Sequence, residues 1–454
     1  MKIKGKFTSI IRKLKTSNFI KNISKMLTGT IAGQAISVLL VPVSTRIYGV
    51  TEYGNLALFI STATLVVGFM GFGLQSAIMV ADTDDEAKDL YKIAIHGSGV
   101  ILSIVYGVCA ISAPWFKICN VEMNYYLLLF LLFIHSYVLN ATNMTYAWLN
   151  RLGKYNVLLV NPILTPLINN GLLIILGLNG YKNAGLYVGT IISQVLTLLH
   201  MQRHKGSMKT HMTVQSSKDL LKKNRDFIVF QYPSSLMNSI ANQLPVQILS
   251  MFFGKSVVGY YSMTQRLLNI PISLIGGSIT RVYFKDAAER QRTSGDARKF
   301  TFKIAKTIML LYCIPTVIIM AFGDTLVPLL LGSNWEGCGP YIQIMIVWNM
   351  FFLLVHCFGG FPSIIGMQKR DMMNAMVTLV TDAIVLYGFS AVWHNPLISL
   401  VCFALLHVFM HIWFYNDMFS IDPDLKNRYA KLSIGTLVSV CAISIGIKFI
   451  ISWL

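Results

Sequence analysis

Acidic residues are scarce in this chain: 19 Asp and Glu among 454 residues, with charged side chains of both signs making up only 13%. That is about half the share of a soluble globular domain, and 54% of the residues are hydrophobic, so a soluble protein is excluded. The seven cysteines include no CxxC pair and no Cys/His metal spacing, which removes zinc modules from consideration. Cys119 and Cys338, both in expected outer loops, are the one pair a disulfide could join. Catalytic signatures are missing too: there is no HExxH, no GxSxG and no Gly-rich dinucleotide turn. Gly254-Lys255-Ser256 imitates the end of a phosphate-binding loop, but Leu249 stands where its first glycine is required. No soluble segment is long enough for an ATPase, so no cofactor and no enzymatic activity is expected. Any pumping must draw on an ion gradient, the membrane potential or the substrate's own gradient.

What is abundant is apolar sequence in blocks of about 20 residues, the length that crosses a bilayer as a helix. Such blocks fall at 26–49, 55–80, 92–115, 122–149, 156–179, 184–202, 228–252, 257–283, 304–323, 339–365, 373–393, 396–418 and 432–453. The expected class is therefore all-α: a polytopic membrane protein with thirteen spans, the last interrupted by Lys448, which can snorkel to the interface. Lys and Arg alternate with them. The leader and the even-numbered connections hold 32 of the 38 basic residues, which places the N-terminus in the cytoplasm. The net charge of +19 thus reflects loop placement, and without aromatic interleaving it does not point to nucleic acid. Residues 1–25 form a basic cytoplasmic leader with no cleavage site. Its Phe7, Ile10, Ile11, Leu14, Phe19 and Ile20 can lie along the inner membrane surface.

The chain repeats itself. Tyr48-Gly49 to Tyr53-Gly54 follows the first span, and Phe253-Gly254 to Gly259-Tyr260 follows the seventh, with the glycines five apart in both. Lys92-Ile93-Ala94 and Lys303-Ile304-Ala305 are a second matching pair. Six spans separate the copies, so both run in the same direction, as in parallel repeats about an axis along the membrane normal. This divides the chain into an N-terminal lobe (26–202), a cytoplasmic linker (203–227), a C-terminal lobe (228–418) and a C-terminal segment (419–454). Two six-helix lobes with a cavity between them suit a transporter.

Polar side chains inside spans mark that cavity or the contacts between helices. Gln231, Ser235, Asn238 and Asn242 lie on one helical face of span 7, and Arg266, Asn269, Ser273 and Thr280 on one face of span 8. Gln34 in span 1, Gln75 at the end of span 2 and Asn143 in span 4 extend the set, alongside Ser136, Asn140, Asn161, Thr165 and Asn169. An Arg at a helix centre costs about 3 kcal/mol to insert, so Arg266 needs water, an acid or an anionic ligand, and its planar fork suits phosphate or acidic sugar. Arg46 is either an interfacial anchor or a second anion contact. Asp382, the one acid near mid-span, either binds a coupling ion (H+ or Na+) or pairs with Arg266 or a neighbouring histidine. His407 and His411 are one helical turn apart without a third metal ligand nearby, so a shared packing or cavity face is expected and no metal. His96, His135 and His356 are further in-span histidines.

Three stretches resemble a known family. Gly33-Gln34, Pro42-Val43-Ser44-Thr45-Arg46-Ile47-Tyr48-Gly49 and Glu52-Tyr53-Gly54 are similar to the opening signature of bacterial O-antigen and polysaccharide flippases. Those belong to the multidrug/oligosaccharidyl-lipid/polysaccharide exporter superfamily. Gly71-Phe72-Gly73-Leu74-Gln75 and Val327-Pro328-Leu329-Leu330-Leu331-Gly332 with Trp335 resemble its later motifs. The resemblance implies a V-shaped exporter fold in the bacterial cytoplasmic (inner) membrane. It also implies a flippase that turns undecaprenyl-pyrophosphate-linked oligosaccharide, an O-antigen or other surface polysaccharide repeat unit, to the periplasmic leaflet. Polysaccharide polymerases are the partners it suggests. Within the same fold the alternatives are an ion-coupled multidrug antiporter, which Arg266 disfavours, and a peptidoglycan lipid-precursor flippase, which usually has fourteen spans. A membrane polymerase or ligase would carry a large basic outer loop. The longest one here, 324–338, has no Lys or Arg.

Overall fold

Hydrocarbon offers no partner to a backbone N–H or C=O, so a segment that crosses it must close its own hydrogen bonds, and an α-helix does so. The computed structural model describes residues 18–112, 124–208, 214–225 and 227–453, and among these there are helices, turns and loops but no strand. The helices are α1 (Asn18–Ile47), α2 (Val50–Met70), α3 (Leu74–Val80), α4 (Asp84–Ile111), α5 (Tyr125–Arg151), α6 (Tyr155–Leu178), α7 (Lys182–Gln202), α8 (Val214–Lys223) and α9 (Tyr232–Phe253). They continue as α10 (Lys255–Pro271), α11 (Gly277–Thr293), α12 (Ala297–Leu331), α13 (Gly339–Phe358), α14 (Phe361–Ile364), α15 (Gln368–Trp393), α16 (Pro396–Met418) and α17 (Pro423–Ser452). The described residues of the thirteen apolar blocks are mainly helical. Most of the leader, with its proposed amphipathic face, lies outside the described residues, as does Cys119. Cys338 is a buried thiol, its Sγ 3.2 Å from Thr264 Oγ1.

Among the described residues, eleven helices are long and apolar enough to cross a membrane. The two blocks that fall short are 228–252 and 257–283, the most polar of the thirteen. A turn of π-helix, Phe227–Gln231, precedes α9, and a second, Ile272–Gly276, splits the other block after Pro271. Proline removes the N–H and crowds the preceding turn, and π-turns inside helices often mark functional segments. The thirteenth block is a full helix, α17, packed chiefly against α12. Lys448 on it meets Asp324 at 3.1 Å, so this in-span lysine has an acid partner.

The chain forms two compact units, residues 1–44 with 66–233 and residues 45–65 with 234–454. The first has a core of Leu74, Ile78, Leu90, Tyr91 and Trp148 among α3, α4 and α5. Arg151 ends α5 by bonding Asp84 (3.0 Å) and the carbonyls of Ile78, Met79 and Ala81, which satisfies the last acceptors of α3. Lys223 at the end of α8 bridges Asp82 (2.7 Å) and Glu86 (2.9 Å). Several in-span polar groups pair across helices: Ser136 with Tyr106 (2.9 Å), Asn140 with Ser98 (2.8 Å), Asn161 with His200 (3.0 Å) and Thr165 with Thr197 (2.9 Å). These bonds join neighbouring helices where lipid cannot serve as a partner.

The second unit is organised by a crossing of α2 and α10. A methyl group on Gly54 would overlap the Lys255 carbonyl oxygen, and one on Gly259 would overlap that of Val50. Thr51 and Ser256 hydroxyls meet between them at 3.0 Å. Thr51 and Ser256 are 205 positions apart, the offset that relates Gly54 to Gly259, and the two glycine contacts, Gly54 with Lys255 and Gly259 with Val50, fall on either side of it. The glycine spacing noted in the sequence therefore serves a backbone-to-backbone approach. Nearby, Thr45 Oγ1 donates to the Leu331 carbonyl (2.9 Å), buried Trp335 donates from Nε1 to the Thr45 carbonyl (3.1 Å), and the Trp335 ring packs edge-on against Tyr53 at 5.5 Å. The stretches around residues 45 and 331, which carried separate parts of the family resemblance, thus touch.

Two outcomes are expected. Overpacking a tight contact costs about 1–3 kcal/mol, so Gly54→Ala and Gly259→Ala each lower the melting temperature of the detergent-purified protein. In a Thr51→Cys/Ser256→Cys pair in a background otherwise free of cysteine, mild oxidation gives a disulfide read as a gel shift. The Lys223 bridge holds the Asp82 carboxyl below its usual range through the Lys223 hydrogen bond and raises the Lys223 ammonium through Asp82 and Glu86. The carboxylate's contribution is present above its unfolded value and lost as pH falls through the folded one, while the ammonium's is lost at high pH. Amide exchange over 214–225, corrected for intrinsic rates, is therefore slowest near neutrality, and Lys223→Ala raises it there.

Candidate functional site

A cavity of about 770 Å³ opens inside the second unit, and every residue lining it belongs to that unit. α9, α10, α13, α15 and α16 form its walls together with the 45–65 part of α2. Of the residues singled out in the sequence, Arg266, Asn269, Asn238, Asn242 and Asp382 come together here. Asn242 donates from Nδ2 to the Asn238 carbonyl one turn earlier at 2.8 Å, which leaves its Oδ1 as an acceptor. On α10, Gln265 Nε2 donates to the Tyr261 hydroxyl at 3.0 Å, one turn from Arg266 and Asn269. This cluster of amides around a guanidinium can accept from sugar hydroxyls and donate to an anionic oxygen.

The opposite wall pairs acid with imidazole. Asp382 is 2% exposed and its Oδ1 lies 3.0 Å from His407 Nε2. The apposition is not aligned as a hydrogen bond, and Asp382 Oδ1 and both His407 ring nitrogens have no hydrogen-bonding partner among the described residues. The His407 ring is tilted over Trp348 at 4.9 Å and meets Phe403 edge-on at 4.5 Å. His411, one turn on, bonds the His407 carbonyl through Nδ1, its ring 5.9 Å from that of His407. Among the described residues no three His, Cys, Asp or Glu side chains are placed to hold a metal. Both histidines line the cavity, and of the partners open to Asp382 it is His407 that stands beside it.

Other expected residues sit elsewhere. Gln34 is half-buried on α1, Gln75 exposed on α3 and Asn143 half-buried on α5, all in the first unit, and Gln231 is the last residue of the π-turn before α9. Arg46 is exposed near the end of α1, its stem against Gly332. Gln34, Gln75, Asn143 and Arg46 do not line the cavity. Thr280 bonds the carbonyls of Gly276 (2.7 Å) and His356 (2.8 Å), and Ser273 that of Ile270 (2.9 Å), so the lower part of the span-8 stripe holds helices together. Sequence reasoning missed Asp371, Asn374 and Thr378, which run along α15 to Asp382 on one side of the cavity. Their spacing of three, four and four residues is the same one-face pattern that singled out span 7, and it was there to be read.

Comparisons with known proteins agree with this architecture. The model of a family described as polysaccharide biosynthesis protein matches residues 43–340. The amylovoran biosynthesis protein AmsL of Erwinia amylovora is 23% identical over 62% of this chain and 68% of its own length. The succinoglycan biosynthesis transport protein ExoT of Rhizobium meliloti (strain 1021) is 21% identical over 67% of this chain and 61% of its own. Among solved structures, the lipid II flippase MurJ in an inward closed conformation superposes with a TM-score of 0.70 at 14% identity, covering 95% of this chain and 98% of that one; this is a likeness of fold. Since the family model spans well over half of the residues, this multi-pass membrane protein belongs to the polysaccharide biosynthesis protein family.

Proposed function

We propose that the protein is a flippase, not an enzyme, that carries lipid-linked oligosaccharide across the bacterial inner membrane by alternating access. The observation that carries this reading is the cavity built on α9 and α10, the two crossing segments least suited to lipid, with Arg266 amid Asn238, Asn242 and Asn269. A repeat unit joined to an isoprenyl pyrophosphate has a polar, anionic head that hydrocarbon rejects and a tail that hydrocarbon accepts. A wet cavity bearing a guanidinium receives the first, while the second stays in the bilayer. The names of AmsL and ExoT place those relatives in the making of surface polysaccharides, and the fold is that of a flippase for another lipid-linked glycan. The alternation of basic loops favours a cytoplasmic N-terminus, so repeat units would leave on the outer side for a polymerase.

In a deletion strain, lipid-linked repeat units accumulate in the cytoplasmic leaflet, and the wild-type gene clears them. Hydrogen bonds to a charged group are worth about 1.5–3 kcal/mol, so Arg266→Ala reduces clearance by roughly tenfold or more. Arg266→Lys recovers only part of it, because an ammonium lacks the planar fork. Rescue by Arg266→Ala equal to wild type removes Arg266 from substrate contact. Absence of any lipid-linked glycan in the deletion strain overturns the flippase reading and turns the question to drug efflux.

A further inference from the structure

The cavity presents an electrostatic problem to the ligand just proposed. Among the described residues its lining holds one guanidinium, Arg266, against two carboxylates, Asp371 and Asp382, and two imidazoles, His407 and His411. With the imidazoles neutral, carboxylates outnumber cations, which suits an anion poorly. The wall opposite Arg266 contains the remedy. His407 Nε2 faces Asp382 Oδ1 at 3.0 Å without a formed hydrogen bond, and its side chain is only 11% exposed. Buried polar atoms without partners are uncommon and call for an explanation.

We propose that Asp382 and His407 are a proton-binding pair, and that the pair takes up a proton from water when an anionic head occupies the Arg266 end of the cavity. The proton bonds to His407 Nε2, and a small turn of the ring lets the new N–H donate to Asp382 Oδ1 as a charge-assisted hydrogen bond. The Trp348 ring at 4.9 Å offers its π-face to the resulting cation. The titratable groups that share the cavity lining with His407 are Asp382 and Asp371 from α15, Tyr261 and Arg266 from α10, Tyr53 from α2 and His411 from its own helix; among the described residues α9 and α13 contribute amides and aromatic rings but no charge. Adding the proton balances the charges of the lining, so anion and proton binding assist each other by the same factor. The anion's affinity rises as pH falls. This rests on the flippase reading for the ligand, but the pair's own titration does not.

The test uses the full-length protein in nanodiscs with farnesyl pyrophosphate as the anionic probe and farnesol as the uncharged control. Calorimetry at pH 7 in two buffers of different ionisation enthalpy counts protons taken up on binding. Wild type is expected to take up between about 0.3 and 1 proton per pyrophosphate bound, beyond the probe's own buffering, and none with farnesol. His407→Gln and His407→Asn still bind but lose more than half of that uptake. Asp382→Asn binds the probe several-fold more tightly and also loses uptake, whereas Arg266→Ala binds more weakly. Independently of any ligand, a pH-dependent quenching of tryptophan emission in wild type disappears in both His407→Gln and Trp348→Phe. Equal proton uptake in wild type and the His407 variants overturns the inference and leaves the flippase reading standing. No binding of the probe by wild type, with the Trp348 quenching intact, removes the anion link and the reading it rests on while keeping the proton-binding pair. Loss of the quenching component as well removes the pair.

Discussion

A bilayer interior satisfies no polar atom, and the rest of this structure answers to that constraint. Backbone groups close their bonds within helices. Side chains that must be polar at membrane depth either bond across to a neighbouring helix or gather around water. The first unit takes the former course: Ser136, Asn140, Asn161 and Thr165 each bond a side chain on another helix. The second unit takes both: Thr280 bonds the His356 carbonyl on another helix, while Asn238, Asn242, Arg266 and Asn269 line one cavity.

The two blocks too polar to count as spans are also the ones that line that cavity. A π-turn precedes α9 and another follows α10, and the two helices carry Pro245 and Pro271, with Asn238, Asn242, Arg266 and Asn269 between these points in the cavity lining. A close approach of α2 and α10, possible only because Gly54 and Gly259 lack side chains, holds one side of this arrangement. The ion pair of Lys448 with Asp324 fastens α17 to α12.

Seen from the polysaccharide biosynthesis protein family, the cavity has two chemically distinct walls. One is a guanidinium among amides and can address a phosphate and sugar hydroxyls. The other is a buried acid beside an imidazole framed by Trp348 and Phe403.

Much of this was legible in the sequence. The length of the apolar blocks located the helices, eleven of them long and apolar enough to cross a membrane among the described residues, since the length and hydropathy of a span are set locally by the bilayer. The repeat at a 205-residue offset, the stripe of Asn238 and Asn242 and the isolated in-span Arg266 and Asp382 could also be read there, because one helix face is a sequence pattern. Which polar face looks into water and which into another helix was not. Asn161 and Asn242 are the same residue type in similar surroundings, yet one meets His200 and the other lines the cavity. Nor does any spacing bring Asp382 to His407, which stand on different helices, or Gly54 to Lys255. Pairings of that kind depend on how helices pack against each other, and packing is decided by the whole set of side chains at once, where the sequence along one helix has no say.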